Sequence, residues 1–401
     1  MPHIVVIGAG QAGAALVAKL RSSGFEGDIT LIGAEDALPY QRPPLSKAYL
    51  LGELDEDRLW LRSAEYWAEQ RITLKLGTPV TAIDPDQRTV TAGDEVLHYD
   101  ELVLTTGSVP RRLPAAMGGD LEGVYTVRTL ADIDAMRAEF APGRRLVVIG
   151  GGYIGLEAAA VGRKLGLDVS VVEMAPRILQ RVAAPETSGY FRRLHAERGV
   201  QILENSALER LLGQGRVTAV RLQDGRELPA DFVVTGVGIL PATDLAQMAG
   251  ATLDNGIRTD AKGRTSVPHI WAAGDCASFP LNGAQLRLES VGHAIDQAEL
   301  VAENILGADR DYIPKPWFWS DQYDCKLQIA GLNSGYDHVV VRPEANGAMS
   351  VWYYAGPQLL AVDAMNDPRA YMVGKRLIEA GKSADPALVA DAETDLKTLM
   401  R

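Results

Sequence analysis

The sequence predicts an α/β fold, because short apolar strands alternate with helical segments along most of its 401 residues. A glycine-rich fingerprint follows an apolar strand twice, at residues 8–13 and at residues 150–155. Near residue 313 prolines and tryptophans mark a change of composition. Together these features predict two nested Rossmann-like dinucleotide-binding domains, at residues 1–108 with 239–313 and at residues 109–238, and a C-terminal α+β domain at residues 314–401.

The first strand, residues 4–7, runs directly into Gly-Ala-Gly-Gln-Ala-Gly. Gly8 permits a tight turn, and Gly10 lets the backbone approach a pyrophosphate. Gly13 lets the next helix, residues 12–22, pack closely on the strand. That helix would direct its free N–H groups and the positive end of its dipole at the phosphates. The pattern therefore predicts a dinucleotide site at the very start of the chain.

Two acids follow the second predicted strand, residues 28–32. Glu35 lies 22 residues beyond Gly13, close to the spacing at which a carboxylate reaches a ribose hydroxyl. Gly33 occupies the strand end where many such units carry their acid. Glu35 is therefore the preferred ribose ligand, and Asp36 remains the alternative.

Composition and charge exclude several function classes. The chain has 40 Lys and Arg against 52 Asp and Glu, a net charge of −12, which argues against general nucleic-acid binding. Cys276 and Cys325 fit neither a disulfide framework nor a metal-ligand cluster, so we expect no metal and a reducing cytoplasm. No apolar run approaches the roughly 18 residues of a membrane span, and no signal-peptide pattern precedes the first strand. Membrane insertion and secretion are disfavoured.

Arg42 and Lys47 place two cations on a proline-fixed segment, residues 39–47, close to the expected phosphate site. A rigid surface loop is the open alternative for this segment. It contains no cysteine, so it lacks the redox thiol that disulfide reductases carry at such a place. Residues 53–70 are predicted as a helix with Trp60 and Trp67 in the core.

Residues 72–83 and 89–96 alternate like a β-meander, and a strand at residues 101–105 follows. Thr106 and Gly107 end that strand, at a point where backbone would pass near a ligand.

The second fingerprint, Gly-Gly-Gly-Tyr-Ile-Gly, follows a strand at residues 146–149 and opens a helix at residues 154–165. A further strand, residues 168–172, ends on an acid. Residues 231–236 also echo residues 100–107, which indicates two similar modules, the second inserted in the first. The predicted site residues here are Gly150, Gly152, Tyr153, Ile154, Gly155 and Glu173.

Glu173 predicts the coenzyme, since its carboxylate would bind two ribose hydroxyls and repel a 2′-phosphate. Each like-charge contact at 4 Å costs roughly 4 kcal/mol at an effective dielectric near 20. We therefore expect NADH over NADPH, with Arg177 as the residue that would weaken this preference.

Asp275 ends a short predicted strand, residues 270–275, where its carboxylate would accept hydrogen bonds from a sugar-alcohol chain. A helix at residues 289–306 follows, and its start near Val291 would stabilise negative charge on a reduced ring. The alternative is a simple strand-to-helix turn in which Asp275 is the N-cap.

Residues 313–319 are predicted as an apolar linker, followed by four strands and a helix at residues 368–380. Three tryptophans lie in this region, and either they are core residues or one of them covers a flat redox ring: Trp317, Trp319 and Trp352. The region also carries scattered positive charge, which is compatible with a solvated face: Arg310, Lys315, Lys326, Arg369, Lys375 and Arg376.

The motifs resemble those of the FAD-dependent NADH:ferredoxin reductases of oxygenase systems, in the glutathione-reductase-like flavoprotein superfamily. Besides the two fingerprints, they are Arg-Pro-Pro-Leu-Ser-Lys at residues 42–47, Ala-Gly-Asp at 273–275 and Trp-Phe-Trp-Ser-Asp-Gln at 317–322. They span nearly the whole chain, and the most specific are Arg-Pro-Pro-Leu-Ser-Lys and Trp-Phe-Trp-Ser-Asp-Gln.

The resemblance implies non-covalent FAD in the first module, with Glu35 on the adenosine ribose and Asp275 on the ribityl chain. It places Arg42 and Lys47 near the diphosphate and flavin ring, Val80 at the adenine through its backbone, and Trp319 near the ring. Glu157 would lie where nicotinamide docks and pair with Lys47, which makes these two residues the candidate catalytic pair.

The implied activity is hydride transfer from NADH to FAD, then single-electron transfer to a small acidic 2Fe-2S ferredoxin that supplies a cytochrome monooxygenase. The ferredoxin would dock on a local basic patch near the C-terminal domain. Two alternatives remain open: a reductase for rubredoxin or for a ring-hydroxylating dioxygenase, and a redox sensor similar to apoptosis-inducing factor.

Overall fold

Secondary structure is described for residues 1–343 and 347–400 in a computed structural model of the chain. In chain order the helices are α1 (Gln11–Ser22), α2 (Ala64–Glu69), α3 (Leu130–Arg137), α4 (Tyr153–Lys164), α5 (Pro185–Glu197), α6 (Asp244–Met248), α7 (Val291–Ile305), α8 (Pro368–Glu379) and α9 (Pro386–Ala390). The strands up to the second fingerprint are β1 (His3–Ile7), β2 (Asp28–Ile32), β3 (Ile72–Lys75), β4 (Val80–Asp84), β5 (Thr89–Ala92), β6 (Glu95–His98), β7 (Glu101–Leu104), β8 (Ser108–Pro110), β9 (Val124–Thr126) and β10 (Arg145–Ile149). The later strands are β11 (Asp168–Val172), β12 (Gln201–Leu203), β13 (Leu208–Gln214), β14 (Arg216–Leu222), β15 (Glu227–Pro229), β16 (Phe232–Thr235), β17 (Ile239–Pro241), β18 (Ile257–Arg258), β19 (Ile270–Ala272), β20 (Ala277–Leu281), β21 (Ala284–Leu286), β22 (Trp317–Gln322), β23 (Cys325–Gly331), β24 (His338–Pro343), β25 (Met349–Ala355) and β26 (Gln358–Met365).

The chain divides into two units, each built from three segments. The first unit consists of Met1–Arg42, Asp55–Val109 and Ile239–Pro314, and the second of Pro43–Leu54, Pro110–Gly238 and Lys315–Arg401. The three domains predicted from the sequence, with boundaries after residues 108, 238 and 313, stay a prediction. The segment Pro43–Leu54 groups with the second unit, whereas the sequence places the whole of residues 1–108 in one domain.

Strand β1 is central to the parallel sheet of the first unit, whose order is β19-β7-β1-β2-β3. Ile4 and Val6 pack into the core formed with α1 and α7, while Val5 and Ile7 belong to the core on the opposite face. Because both faces are covered, the strand is apolar at every one of these positions. The predicted strand and helix of the first fingerprint are confirmed to within one residue.

The second unit contains a parallel sheet of matching design, in the order β12-β11-β10-β16-β9. β10 pairs with β11 from Arg145↔Asp168 onwards, just as β1 pairs with β2 from His3↔Asp28 onwards. On the other side β16 lies beside β10 as β7 lies beside β1. The internal repeat predicted from the sequence is therefore confirmed.

An antiparallel sheet covered on one face by α8 lies in the last part of the second unit. In the described residues its order is β22-β23-β26-β25-β24. Trp352, Val362 and Leu377 are among the residues that bury the inner face of the sheet against α8. Asp367 caps α8 by accepting a hydrogen bond from the Ala370 N–H at 2.9 Å, and Pro368 follows at the first helical position. The predicted α+β domain is confirmed.

The prediction of one helix over residues 53–70 is wrong in its first half. A short 3₁₀ helix, Glu56–Leu59, is followed by extended backbone at Trp60, which pairs with Tyr40. α2 begins only after Ser63, whose side chain accepts a hydrogen bond from the Tyr66 N–H. The predicted meander is also wrong at its start, because β3 joins the parallel sheet beside β2, and only β4, β5 and β6 form an antiparallel sheet.

The prediction of a linker over residues 313–319 is wrong from residue 317, where β22 begins. The strand pairs with β23 along its whole length, from Trp317↔Ala330 to Gln322↔Cys325. The sequence does not show the usual strand alternation of apolar buried and polar exposed residues, because the residues that this strand buries completely, Ser320 and Gln322, are polar.

Candidate active site

The first glycine loop joins β1 to α1. Gly8 has φ +115°, and a Cβ there would lie 2.2 Å from the Thr105 carbonyl oxygen. A Cβ at Gly13 would lie 2.1 Å from the Gly8 carbonyl oxygen. Both positions therefore require glycine. A Cβ at Gly10, by contrast, would meet no described atom within 4 Å, so the backbone there is open to an approaching group.

The start of α1 fits a diphosphate. Gly10 is its N-cap, and within the described residues no side chain caps the helix and no acid lies in its first turn. Among the described residues, therefore, no capping side chain or first-turn acid offsets the free N–H groups and the positive end of the helix dipole. An open backbone beside an uncapped helix start is the arrangement that binds phosphate in dinucleotide folds.

Glu35 lies beyond the end of β2 and is bound by two neighbours. Its carboxylate pairs with the Arg42 guanidinium at 2.6 Å and accepts a hydrogen bond from the Tyr40 hydroxyl at 2.6 Å. Burial works against the charge on Arg42, but Tyr40 and Glu35 raise its pKa above the usual value. The structure thus brings Glu35 and Arg42 together as one charged cluster. Asp36, the alternative acid, lies beside Gly77.

Asp275 follows the end of β19 in the first unit. Its carboxylate accepts a hydrogen bond from the Ser108 hydroxyl at 3.1 Å, and its charge contributes to the raised pKa of Arg42. Asp275 does not cap α7, so the alternative reading of it as an N-cap is wrong. Ser290 is the N-cap and accepts a hydrogen bond from the His293 N–H at 3.2 Å.

Four further residues predicted around the first site lie in the first unit, namely Val80, Thr106, Gly107 and Val291. Thr106 and Gly107 follow β7, where the Thr106 hydroxyl donates to the Ala242 carbonyl at 2.6 Å. Val80 begins β4, and Val291 is the first residue of α7.

The second glycine loop, between β10 and α4, repeats the geometry of the first. Gly150 has φ +108°, and a Cβ there would lie 2.4 Å from the Gly236 carbonyl oxygen. A Cβ at Gly155 would lie 2.1 Å from the Gly150 carbonyl oxygen, whereas one at Gly152 would meet no described atom within 4 Å. The second loop therefore also fits a dinucleotide. Tyr153 begins α4, and the adjacent Ile154 is exposed.

Glu173 follows β11 and is held against the second loop. Its carboxylate accepts hydrogen bonds from the Gly151 N–H at 2.8 Å and from the Ala175 N–H at 2.7 Å. Arg177 points its guanidinium at the Ser188 hydroxyl, 2.5 Å away, and at the Gln180 carbonyl, 3.3 Å away. An acid fixed at the glycine loop suits a ribose diol.

Lys47 and Glu157 form a buried ion pair in the second unit. The Lys47 ammonium lies 2.7 Å from Glu157 Oε2 and also donates to the Pro43 carbonyl at 3.1 Å. The Glu157 side chain is only 2% exposed. The Ser46 hydroxyl donates to the same Oε2 at 2.5 Å, and the Ser320 hydroxyl donates to Oε1 at 2.6 Å. The pairing predicted from the resemblance is present, although the sequence alone does not predict the two serines.

Trp319 also belongs to the second unit and stacks on Trp317, with ring centroids 5.4 Å apart. The neighbouring Phe318 ring contacts Tyr153, with centroids 4.9 Å apart. Trp352 is fully buried, so it is a core residue.

The two cysteines are free and buried. Burial raises the pKa of the Cys325 thiol to about 11 and that of the Cys276 thiol above its ordinary value. Neither is therefore suited to act as a thiolate nucleophile. Among the described residues no cluster has the His, Cys, Asp and Glu groups of a metal site, and no helix there is long and apolar enough to cross a membrane.

Comparisons with known proteins agree with this geometry. A family model described as pyridine nucleotide-disulphide oxidoreductase matches residues 2–298, and one described as reductase C-terminal matches residues 317–400. A ferredoxin–NAD(P)(+) reductase from a Sphingomonas species is 45% identical over 99% of this chain and 97% of its own length. Putidaredoxin reductase from Pseudomonas putida is 42% identical over 99% of this chain and 96% of its own length.

A solved structure has the same fold over the whole chain. In the covalent complex of putidaredoxin reductase with putidaredoxin, the matching chain superposes with a TM-score of 0.96 at 41% identity, covering 100% of this chain and 98% of that chain. These relatives confirm the resemblance that the motifs predict. The chain belongs to the pyridine nucleotide-disulphide oxidoreductase family, among the flavin- and pyridine-nucleotide-dependent ferredoxin reductases.

Proposed function

We propose that this protein is an NADH-dependent ferredoxin reductase that holds FAD non-covalently at residues 1–108 with 239–313 and receives NADH at residues 109–238. The observation that carries the proposal is the repeated glycine loop. Gly8 and Gly150 share a strongly positive φ, and Gly10 and Gly152 both leave the backbone open. Two dinucleotide sites in one chain suit one flavin and one pyridine nucleotide.

The residues of the first unit fit FAD. The uncapped start of α1 would hold the diphosphate, Glu35 the adenosine ribose and Asp275 the ribityl chain. The start of α7 at Val291 would direct its dipole at the ring. When bound, FAD accepts a hydride from nicotinamide and releases the two electrons singly. The further FAD contacts in the proposal are Val80, Thr106, Gly107, Arg42, Lys47 and Trp319.

We propose that the ion pair with Glu157 holds the Lys47 ammonium at a fixed point where nicotinamide docks. The ion pair keeps the Lys47 charge balanced, and Ser46 and Ser320 satisfy the carboxylate that balances it. Separating such a pair would leave an uncompensated charge in the interior, so the two side chains stay together. The chain thus orients groups around the coenzyme and needs no nucleophile of its own.

The coenzyme is proposed to be NADH. Glu173 is fixed by the Gly151 and Ala175 N–H groups, so its carboxylate stays at the loop where the adenosine ribose would bind. A 2′-phosphate there would meet a like charge. Arg177 is engaged by Ser188 and Gln180, which supports a strict preference.

The electron acceptor is proposed to be a small acidic 2Fe-2S ferredoxin that supplies a cytochrome monooxygenase. Its docking site would be a basic patch near the C-terminal domain. Lys326 is exposed there, whereas Lys375 pairs with Glu379 and Arg369 lies 3.9 Å from Asp395. The cytoplasmic location expected from the cysteines stays a prediction.

Stopped-flow absorbance tests the proposal. NADH should bleach the flavin band within one turnover, and a 2Fe-2S ferredoxin should restore it at a rate that falls as the salt concentration rises. Faster reoxidation by a rubredoxin or a dioxygenase ferredoxin would assign the protein to that system instead. A long-lived reduced complex that no acceptor reoxidises would indicate the sensor and contradict the proposal.

A further inference from the structure

The two oxygens of the Glu157 carboxylate are held by different parts of the second unit. Oε2 receives the Lys47 ammonium and the Ser46 hydroxyl. Among the hydrogen bonds of the described residues, Oε1 receives one, from the Ser320 hydroxyl at 2.6 Å. Ser320 lies on β22 and is completely buried. The orientation of the carboxylate therefore depends on a strand of the C-terminal sheet.

A chain of buried polar groups continues behind Ser320. Gln322, two residues further along β22, donates from Nε2 to the Ser320 hydroxyl oxygen at 3.2 Å. Gln322 Oε1 lies 2.8 Å from His195 Nε2, and the Tyr323 hydroxyl lies 3.2 Å from His195 Nδ1. His195 comes from α5, so the chain links that helix to the strand.

The donors along this chain all point towards Glu157. A carboxylate can only accept, so Ser320 donates to it, and the Ser320 oxygen is left to accept from Gln322. Gln322 Oε1 then requires a proton on His195 Nε2, which leaves His195 Nδ1 to accept from Tyr323. A neutral imidazole meets these requirements, and burial lowers the pKa of His195 to about 4, which keeps it neutral.

Five polar side chains are linked here, and four of them, Glu157, Ser320, Gln322 and His195, are buried. Burying them is costly unless each is hydrogen-bonded, and their bonds run in one direction to one carboxylate oxygen. We propose that Ser320 is a positioning residue for the Lys47–Glu157 pair: it fixes Oε1, with Gln322 and His195 behind it, so that Oε2 stays turned towards Lys47. The relevance of this to hydride transfer rests on the proposed function, but the geometry of the ion pair does not.

The test compares Ser320→Ala with Ser350→Ala in the flavin-loaded protein. Ser350 is a matched control, because it is equally buried in the same sheet and accepts a hydrogen bond from the Trp352 indole N–H instead of contacting Glu157. The first readout is independent of turnover: trace acetylation of the Lys47 amine at one fixed pH, quantified by mass spectrometry. Ser320→Ala should speed labelling of Lys47 about fivefold, the factor that corresponds to about 1 kcal/mol of pairing free energy. Ser350→Ala should leave the labelling rate unchanged.

The second readout is the rate constant of flavin reduction by NADH. It should fall about tenfold in Ser320→Ala while the NADH dissociation constant stays within about twofold, since a misplaced pair affects the reaction more than binding. Ser320→Thr keeps a hydroxyl and should restore both readouts. Ser320→Cys keeps the volume with a weak donor, so it should shift both in the same direction even if Ser320→Ala fails to fold.

The outcomes separate the two proposals. Unchanged Lys47 labelling and unchanged reduction in folded Ser320 variants would overturn the positioning role. Faster labelling in a protein that no ferredoxin reoxidises would uphold that role and contradict the proposed function.

Discussion

Removing one partner of the Lys47–Glu157 pair should cost more stability than removing both. Lys47→Met leaves a carboxylate that is 2% exposed with two hydroxyl donors, from Ser46 and Ser320, in place of a counter-charge. Glu157→Gln removes the negative charge, so the Lys47 ammonium is left with neutral oxygen acceptors in place of a counter-charge. Each single change should therefore cost about 3 kcal/mol, the usual penalty for breaking a buried pair.

The double variant relieves this penalty, because Gln then faces only the two hydroxyls. We expect a coupling free energy of about 2 kcal/mol between the two positions. Urea unfolding of the four proteins at equal flavin saturation measures it, with far-ultraviolet circular dichroism as the signal. The matched control is Lys375 with Glu379, a partly exposed pair one helical turn apart on α8, which should couple by less than about 0.5 kcal/mol. Additive single effects at Lys47 and Glu157, or equal coupling in both pairs, would refute the reasoning.

Three further predictions use other parts of the structure. Glu173→Gln should raise kcat/KM for NADPH by about tenfold or more relative to NADH, because it removes a like-charge contact worth roughly 4 kcal/mol. Steady-state kinetics with both coenzymes measure this, and an unchanged ratio of the two kcat/KM values would disprove it. Gly10→Ala should fold normally but retain less FAD, while Gly152→Ala should keep FAD and bind NADH more weakly, since each methyl enters the open space beside one loop. Flavin absorbance measures the first loss and NADH titration the second. Identical effects of the two variants would count against two separate sites. Burial raises the pKa of Asp363 to about 6, above its unfolded value. The stability that its proton gives is therefore complete below about pH 4 and is lost as the pH rises to about 6. Asp363→Asn should remove this pH dependence from the free energy of unfolding, and an unchanged pH dependence would show that Asp363 is not its source.

The glycine loops could be predicted from the sequence because their spacing follows from local geometry. Gly8 and Gly13 are forced by contacts within a few residues of the loop and with the neighbouring strand, and the same is true of Gly150 and Gly155. Such requirements leave a fixed pattern of glycines. The strand and helix on either side add their own hydrophobic periodicity, so the sequence predicts the two modules and their order.

The surroundings of Glu157 could not be predicted in the same way. Lys47 and Ser320 are 110 and 163 residues away from it along the chain, and no local pattern connects them. The resemblance suggested Lys47, but Ser320 and Gln322 lie in a strand whose alternation is concealed by burying polar residues. His195 lies on a helix where a single histidine carries no signal.

The sequence also does not predict the pairing of Glu35 with Arg42. The resemblance implies a separate part of the cofactor for each residue, yet their side chains meet at 2.6 Å. They lie seven positions apart, and only the turn of the chain between them brings the charges together.

The flavin content of the purified protein tests the central claim most directly. The account predicts a yellow protein with one FAD per chain, released by denaturation because it is not covalently bound, and bleached by NADH without oxygen. A colourless protein that takes up no FAD on reconstitution would contradict it.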